Sequence, residues 1–374
     1  MTEQPIKISY WLYPFSWLYG IGVGLRNKLF DWGWLRSESF DIPVICIGNL
    51  VAGGTGKTPH TEYLIRLLTR QKLNVATLSR GYKRKTKGYI LADGQSNARQ
   101  IGDEPCQMKD KFPGIRVAVD EDRRDGIHQL LRLNNPPIDV VLLDDAYQHR
   151  RVKAGLNILL TDYHRLLCDD ALLPAGRLRE PAENKQRAQI VIVTKCPADI
   201  KPIDFNIITK KLQLYPYQKL FFSGFRYGNL QPVFPSTNKQ PARYLEGNEH
   251  ILLLTGIAAP LPLLDELRQK AARVVPLFFG DHHDFSKRDL QQIEERFATL
   301  EGPRKFIITT EKDAARLRSH PLLSAKLKPF IYMIPIEISI LQNQQSIFNQ
   351  AITDYVRKNS RDRSFPEGKD AYTT

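Results

Sequence analysis

Residues 42–58 read Ile-Pro-Val-Ile-Cys-Ile-Gly-Asn-Leu-Val-Ala-Gly-Gly-Thr-Gly-Lys-Thr. The apolar run Ile42–Ile47 predicts a buried strand, and Leu64, Leu67 and Leu68 beyond the glycines predict a helix. A glycine-rich loop between strand and helix lets backbone N–H groups approach phosphate oxygens, with the helix N-terminus adding positive potential. Val51, Ala52, Gly53, Gly54, Thr55, Gly56, Lys57 and Thr58 are therefore the expected binding residues for a nucleoside triphosphate. Lys57 would reach the terminal phosphates and the Thr58 hydroxyl would ligate Mg²⁺. The usual phosphate loop has glycine where this chain has Val51, and here Gly53 and Gly54 supply the flexibility slightly later.

Outward from the loop, Val75–Leu78, Val117–Val119, Val140–Leu143, Ile158–Leu160 and Ile190–Val193 are short apolar runs separated by helical patterns. This is the signature of a parallel sheet in an α/β domain, and with the loop it predicts a P-loop NTPase-like sandwich over residues 41–215. The rhythm breaks at Leu220–Phe234, with extended pieces about Gly224 and Gly228–Asn229, which predicts a β linker over 216–245. A second, smaller α/β domain is expected over 246–358, from runs at Ile251–Leu254, Val274–Phe279, Phe306–Ile308 and Phe330–Ile334. Its strongest helical pattern is Lys287–Leu300, and a last helix falls near Gln344–Lys358. The polar stretch 359–374 is expected to be a disordered tail. At 374 residues, 42% apolar and 25% charged, the chain is neither disordered overall nor a multispan membrane protein.

A magnesium-dependent phosphate-loop enzyme needs a carboxylate at the end of a neighbouring buried strand, and Val140-Val141-Leu142-Leu143-Asp144-Asp145 supplies two. Adjacent residues of an extended chain project to opposite sides, so one of Asp144 and Asp145 is expected to face the metal, and the sequence leaves open which. His149, in Gln148-His149-Arg150-Arg151, is a candidate phosphate contact. Gly102-Asp103-Glu104-Pro105 reads by itself as a capped helix start. Asp122-Arg123-Arg124 and Gly176-Arg177-Leu178-Arg179-Glu180-Pro181 are compact basic groups able to clamp phosphates or simply to face solvent. Gly280-Asp281-His282-His283-Asp284-Phe285 and Thr310-Glu311-Lys312-Asp313 each follow a strand, where α/β folds place functional loops.

Lysine and arginine total 54 against 40 acidic residues, a net charge of +14, which points to anionic partners. No nucleic-acid module accompanies that charge, so nucleic acid is not expected as a partner. The 4 cysteines show no metal or disulfide spacing, which fits a reducing, cytoplasmic setting. Residues 8–25 carry no charge, a length at the lower limit for crossing a bilayer, but Pro14, two serines and three glycines interrupt them. All 4 tryptophans (Trp11, Trp17, Trp32, Trp34) lie in the first 34 residues, with Arg26, Lys28 and Arg36 close by. Aromatic rings with nearby basic residues predict a membrane-associated segment over 1–40 at an anionic lipid surface, either lying in the interface or anchored more deeply.

In order along the chain, PVICIGNLVAGGTGKTPH, SRGY at Ser79–Tyr82, GDEP, DR at Asp122–Arg123, LDDAYQHRR, GRLREP, DHHDF and TEKDAARL together resemble the tetraacyldisaccharide 4'-kinase family. These are the ATP-dependent lipid A kinases of Gram-negative bacteria, and they share the atypical phosphate loop. The resemblance implies transfer of the γ-phosphate of ATP, with Mg²⁺, to the 4'-hydroxyl of a tetraacyl disaccharide 1-phosphate. The product would be lipid IVA, made at the cytoplasmic face of the inner membrane without a required protein partner. It implies that Asp103 is the catalytic base with His282 as its partner and Glu104 in support. Lys57, Arg123 and Arg179 would stabilise the transferred charge, His149 and Glu180 would help to position nucleotide or substrate, and Thr58, Asp144 and Asp145 would form the metal region. One departure is Ala146, where many family members have glycine.

Overall fold

The computed structural model describes residues 8–360, apart from 198, 238–241, 258, 259, 281, 282 and 319. The chain divides into two units: Met1–Phe225 with Ile338–Thr374, and Arg226–Glu337.

The first unit begins with helix α1 (Tyr13–Asp31) and then alternates β1 (Val44–Asn49), α2 (Lys57–Arg70), β2 (Val75–Ser79) and β3 (Ile90–Leu91). Next come α3 (Ala98–Ile101), α4 (Asp103–Lys111), β4 (Arg116–Val119), α5 (Arg123–Leu131), β5 (Val140–Asp144), β6 (Leu156–Asp162), β7 (Ile190–Thr194), α6 (Pro202–Leu212) and β8 (Lys219–Tyr227). The second unit holds β9 (Gln231–Pro232), β10 (Glu249–Thr255), α7 (Leu261–Arg268), β11 (Arg273–Phe278), α8 (Lys287–Ala298), β12 (Arg304–Thr310), α9 (Glu311–Arg318) and β13 (Ile331–Ile334). The chain then returns through β14 (Ile336–Ile340) and α10 (Gln345–Asn359).

The large sheet has 9 strands in the order β14-β8-β7-β6-β1-β5-β2-β4-β3. β1 pairs in parallel with β5 on one side and β6 on the other. Because the chain first builds outward from β1 through β2 and β4 and only later places β6 on the other side, β1 stands where the winding reverses. The crevice beyond the carboxyl end of such a strand is where α/β sheets bind ligands. Every residue of β1 is buried, and its side chains alternate between the two faces: Val44 and Cys46 pack with Leu78 and Leu143, Ile45 and Ile47 with Leu64 and Leu142. Burial on both faces is why these strands read as continuous apolar runs rather than as alternating ones.

The smaller sheet has 5 strands in the order β11-β10-β12-β13-β9. β10, β11, β12 and β13 are parallel, and β9 is antiparallel to β13. Helix α8 starts on a capping box of Ser286 and Asp289, and its Leu290, Ile293 and Phe297 enter that unit's core.

Two expectations change. Leu220–Phe234 does hold two extended pieces, parted at Gly228–Asn229, but not as a linker with a break at Gly224: β8 runs unbroken through Gly224 as a strand of the large sheet, and β9 belongs to the smaller sheet. Nor does the last helix belong with the smaller unit. Phe348, Ile352 and Val356 of α10 pack with Ile45, Leu64 and Phe221, and the Tyr355 hydroxyl donates to Val44 O at 3.0 Å while accepting from Val44 N at 3.2 Å. An amphipathic period fixes which face of a helix is buried, but not which sheet covers it. Of the expected tail, 361–374 lies outside the described residues.

Candidate active site

The chain bends at Leu50, just past β1. Val51 forms an antiparallel bridge with Leu178, Ala52 N donates to Arg177 O at 2.7 Å, and Arg179 N donates to Leu50 O at 2.7 Å. This pairing explains the missing early glycine: Val51 is buried in a short ladder, and the backbone first takes a positive φ afterwards, at Gly53, where it is +129°. The same ladder delivers Arg179 beside the loop.

Carbonyls of the loop are held from behind. Asn49 Nδ2 donates to Gly53 O at 3.2 Å and to Thr55 Oγ1 at 2.8 Å. Thr194 Oγ1, at the end of β7, donates to Thr55 O at 2.9 Å. His60 Nδ1 donates to Gly56 O at 2.7 Å, while its Nε2 accepts from Ser223 Oγ at 2.9 Å. In a planar trans peptide the C=O and the following N–H point in opposite directions. With the carbonyls of Gly53, Thr55 and Gly56 tied to the framework, the N–H groups of Gly54, Gly56 and Lys57 are turned the other way, as an anion-binding concavity requires. Gly56 precedes α2 in the left-handed region, at φ +82°, and a Cβ there would lie 3.1 Å from the Phe225 ring.

The register of β1 on β5 sets Ile47 beside Asp144. Asp144 is buried and accepts a hydrogen bond from Thr61 Oγ1 at 3.1 Å. Asp145 follows at φ +50°, with Lys57 Nζ 3.5 Å from Oδ1 and an Arg179 guanidinium nitrogen 3.6 Å from Oδ2. The turn fits only because residue 48 is glycine, since a Cβ there would lie 2.7 Å from Tyr147 Cβ. Burial, and then the neighbouring Asp145, pushes the Asp144 carboxyl up to about 7, with Glu104 adding to the same negative field. Glu104, in the first turn of α4, is thereby brought to the end of β5.

This donor set fits a hard divalent cation. Two adjacent carboxylates destabilise each other's charge, which a cation would relieve, and Oδ1 of Asp145 is buried without a hydrogen-bond donor. Among the described residues no group of three or more His, Cys, Asp or Glu is arranged to hold a metal. Thr58 and the Asp144/Asp145 pair would hold Mg²⁺ together with phosphate and water oxygens.

The remaining candidates divide. Arg123 is buried at the start of α5 and donates to Asp120 O at 3.1 Å, and burial lowers its pKa while Asp145 and Asp144 oppose that shift. Its partner in sequence, Arg124, instead pairs with Asp122 at 2.6 Å. His149 is half-buried, and burial followed by the charge of Arg123 lowers it to about 4, so it is neutral near pH 7. Glu180 is only 1% exposed and pairs with Arg187, while Asn184 Nδ2 donates to it at 3.0 Å. Arg187 also lies over the Tyr147 ring, 4.4 Å from its centroid. Glu180 therefore has its contacts in the 184–187 turn rather than in the phosphate loop. Asp103 is the first residue of α4, after Gly102 at φ +95°, so Gly102 and not Asp103 occupies the cap position. His282 lies outside the described residues. Asn49, His60, Thr61, Thr194, Ser223 and Arg187 were not marked by the sequence. Asn49 and His60 sit within the motif; Thr61 comes from the interior of α2, Thr194 and Ser223 from strands far along the chain, and Arg187 from the turn at 184–187.

Helix α1 is built inside out for a helix packed on a core. Tyr10 just before it and Phe15, Trp17, Leu18 and Leu25 on it are exposed, whereas Ser16 and Asn27 are buried, with Phe30 the one large apolar side chain of the helix that is also buried. Ser16 Oγ donates to Leu172 O at 2.9 Å, the Tyr19 hydroxyl to Arg179 O at 2.9 Å, and Arg26 to Gln148 O at 2.9 Å. Its polar face thus fastens to the loops after β5 and β6. Among the described residues no helix is long and apolar enough to cross a membrane.

The family profile described as Tetraacyldisaccharide-1-P 4'-kinase matches residues 8–357. The chain is 64% identical over 380 residues to a tetraacyldisaccharide 4'-kinase of Bacteroides thetaiotaomicron, covering 100% of both chains. It is 46% identical over 347 residues to one of Porphyromonas gingivalis strain W83, covering 91% of this chain and 96% of that one. Among solved structures it is similar to LpxK from Aquifex aeolicus in complex with ATP, with a TM-score of 0.70 and 27% identity over 93% of this chain and 99% of that one.

Proposed function

The chain belongs to the tetraacyldisaccharide-1-P 4'-kinase family, and from that premise we propose that it transfers the γ-phosphate of ATP to the 4'-hydroxyl of tetraacyldisaccharide 1-phosphate, giving lipid IVA. The observation that carries this reading is the loop after β1, with three carbonyls tied back, Lys57 at its end and the Asp144/Asp145 pair alongside. That arrangement provides directed N–H donors, a cation and a metal-binding edge for a triphosphate.

In this reading Asp103 accepts the proton of the acceptor hydroxyl as its oxygen bonds to the γ-phosphorus, and the β–γ bridging oxygen departs with ADP. Glu104 supports the acidic edge. Lys57, Arg123 and Arg179 neutralise charge on the transferring group, which preorganised cations do without reorganisation at the moment of reaction. His149 lies beside Arg123, where as a neutral imidazole it adds a hydrogen bond without a further charge. Mg²⁺, held by Thr58 and the aspartate pair, would neutralise charge on the β- and γ-phosphates.

The exposed aromatic face of α1, together with the chain's positive charge, supports docking on an anionic membrane surface, which for this substrate is the cytoplasmic face of the inner membrane. Incubating the protein in detergent with Mg²⁺, γ-labelled ATP and the tetraacyl disaccharide 1-phosphate tests the reaction. Label is expected in the lipid at the 4' position and is expected to be lost in Lys57→Ala. ATP hydrolysis without labelled lipid would refute the acceptor.

A further inference from the structure

We infer that His60 and Ser223 form a positioning pair for the nucleotide, acting through the Gly56–Lys57 peptide; this rests on the kinase reading above. Gly56 O accepts twice from one residue, from His60 N at 3.3 Å and from His60 Nδ1 at 2.7 Å. The first is the ordinary opening bond of α2, so the imidazole bond is additional and comes from a side chain with a fixed ring plane. Ser223 fixes that ring. Its hydroxyl donates to Nε2 at 2.9 Å, which requires the neutral tautomer with the proton on Nδ1, the one that can donate to Gly56 O.

Both groups are enclosed. His60 is 4% exposed and Ser223 0%, and the Ser223 backbone is itself held, its carbonyl accepting from Cys196 N at 3.0 Å. With the Gly56 carbonyl drawn toward His60, planarity of the peptide turns the Lys57 N–H away from it and out of the loop. That N–H is one of the first donors of α2, which have no partner within the helix. The pair therefore presets a phosphate-binding donor that glycine, in the left-handed region, would otherwise leave free to rotate. Neither side chain touches the nucleotide in this account.

The test uses the full chain in detergent, with Mg-ATP affinity measured by calorimetry and steady-state kinetics measured separately for ATP and lipid. His60→Leu and Ser223→Ala are each expected to weaken ATP binding about tenfold, the effect of losing roughly one hydrogen bond's worth of preorganisation. The KM for lipid should hold, and the double variant should be no worse than His60→Leu alone. His60→Gln, whose amide can donate to Gly56 O and accept from Ser223, should recover most of the loss. Ser223→Ala removes a single oxygen and carries the test if His60→Leu fails to fold. Unchanged ATP affinity in folded variants, additive losses, or equal changes in both KM values would overturn the pairing. If the wild-type protein itself binds no Mg-ATP, the kinase reading falls first.

Discussion

Lys57 Nζ stands 3.5 Å from Asp145 Oδ1, joining the end of the phosphate loop to the turn after β5. With Arg179 3.6 Å from the other oxygen, Asp145 sets the spacing of two cations on the side where the triphosphate would lie. Asp145→Asn keeps the shape and removes the charge. Its kcat is expected to fall about 100-fold, the scale of losing one preorganised electrostatic contact, with little change in thermal stability because the side chain is 38% exposed. A kcat within a fewfold of wild type would show that this carboxylate does not organise the site.

Gly48→Ala should damage both fold and catalysis. The added methyl would lie 2.7 Å from Tyr147 Cβ and 3.1 Å from Tyr147 N, so relief requires the backbone of the turn carrying Asp145 to move. Overpacking of this kind costs about 1–3 kcal/mol. Denaturant titration should register that loss, and kcat should drop further than stability alone explains.

Arg187→Ala is expected to destabilise the protein by about 3–5 kcal/mol, because it strands the buried Glu180 charge. Pairing it with Glu180→Gln should restore much of that loss. If the double variant is as unstable as Arg187→Ala, packing of Arg187 on Tyr147, and not its charge, is what matters there.

The strands themselves were readable because β1, β5 and β7 are buried on both faces and leave unbroken apolar runs. The phosphate loop was readable because its chemistry is local. What escaped the sequence was decided by distant partners. Gly224 looked like an interruption, yet it sits within β8 where a Cβ would meet Cys196 O at 3.1 Å, so the glycine answers a close approach rather than a turn. Glu180, a positioning candidate by family resemblance alone, pairs with Arg187, a partner that only the fold reveals.

Acid sensitivity should trace in part to His149. Its folded-state value is lowered to about 4, against about 6.5 in the unfolded chain. Between those values the unfolded state binds more protons, so stability falls as pH drops from about 6.5 towards 4 and is insensitive to this group above that window. Replacing His149 with Gln should flatten that portion of the stability–pH curve, as followed by chemical denaturation. A curve that keeps its slope would place the acid sensitivity elsewhere.

The chain leaves the large sheet on β8 and returns to it on the adjacent strand, β14. During synthesis the nucleotide-binding unit is therefore the first to begin and the last to finish. Until residues 336–359 emerge, β8 lacks its outer neighbour and one side of the sheet lacks the Phe348–Val356 face of α10. A nascent chain stalled after the smaller unit would carry a complete phosphate loop on an open sheet, an exposed edge of the kind that chaperones shield or that pairs with other chains.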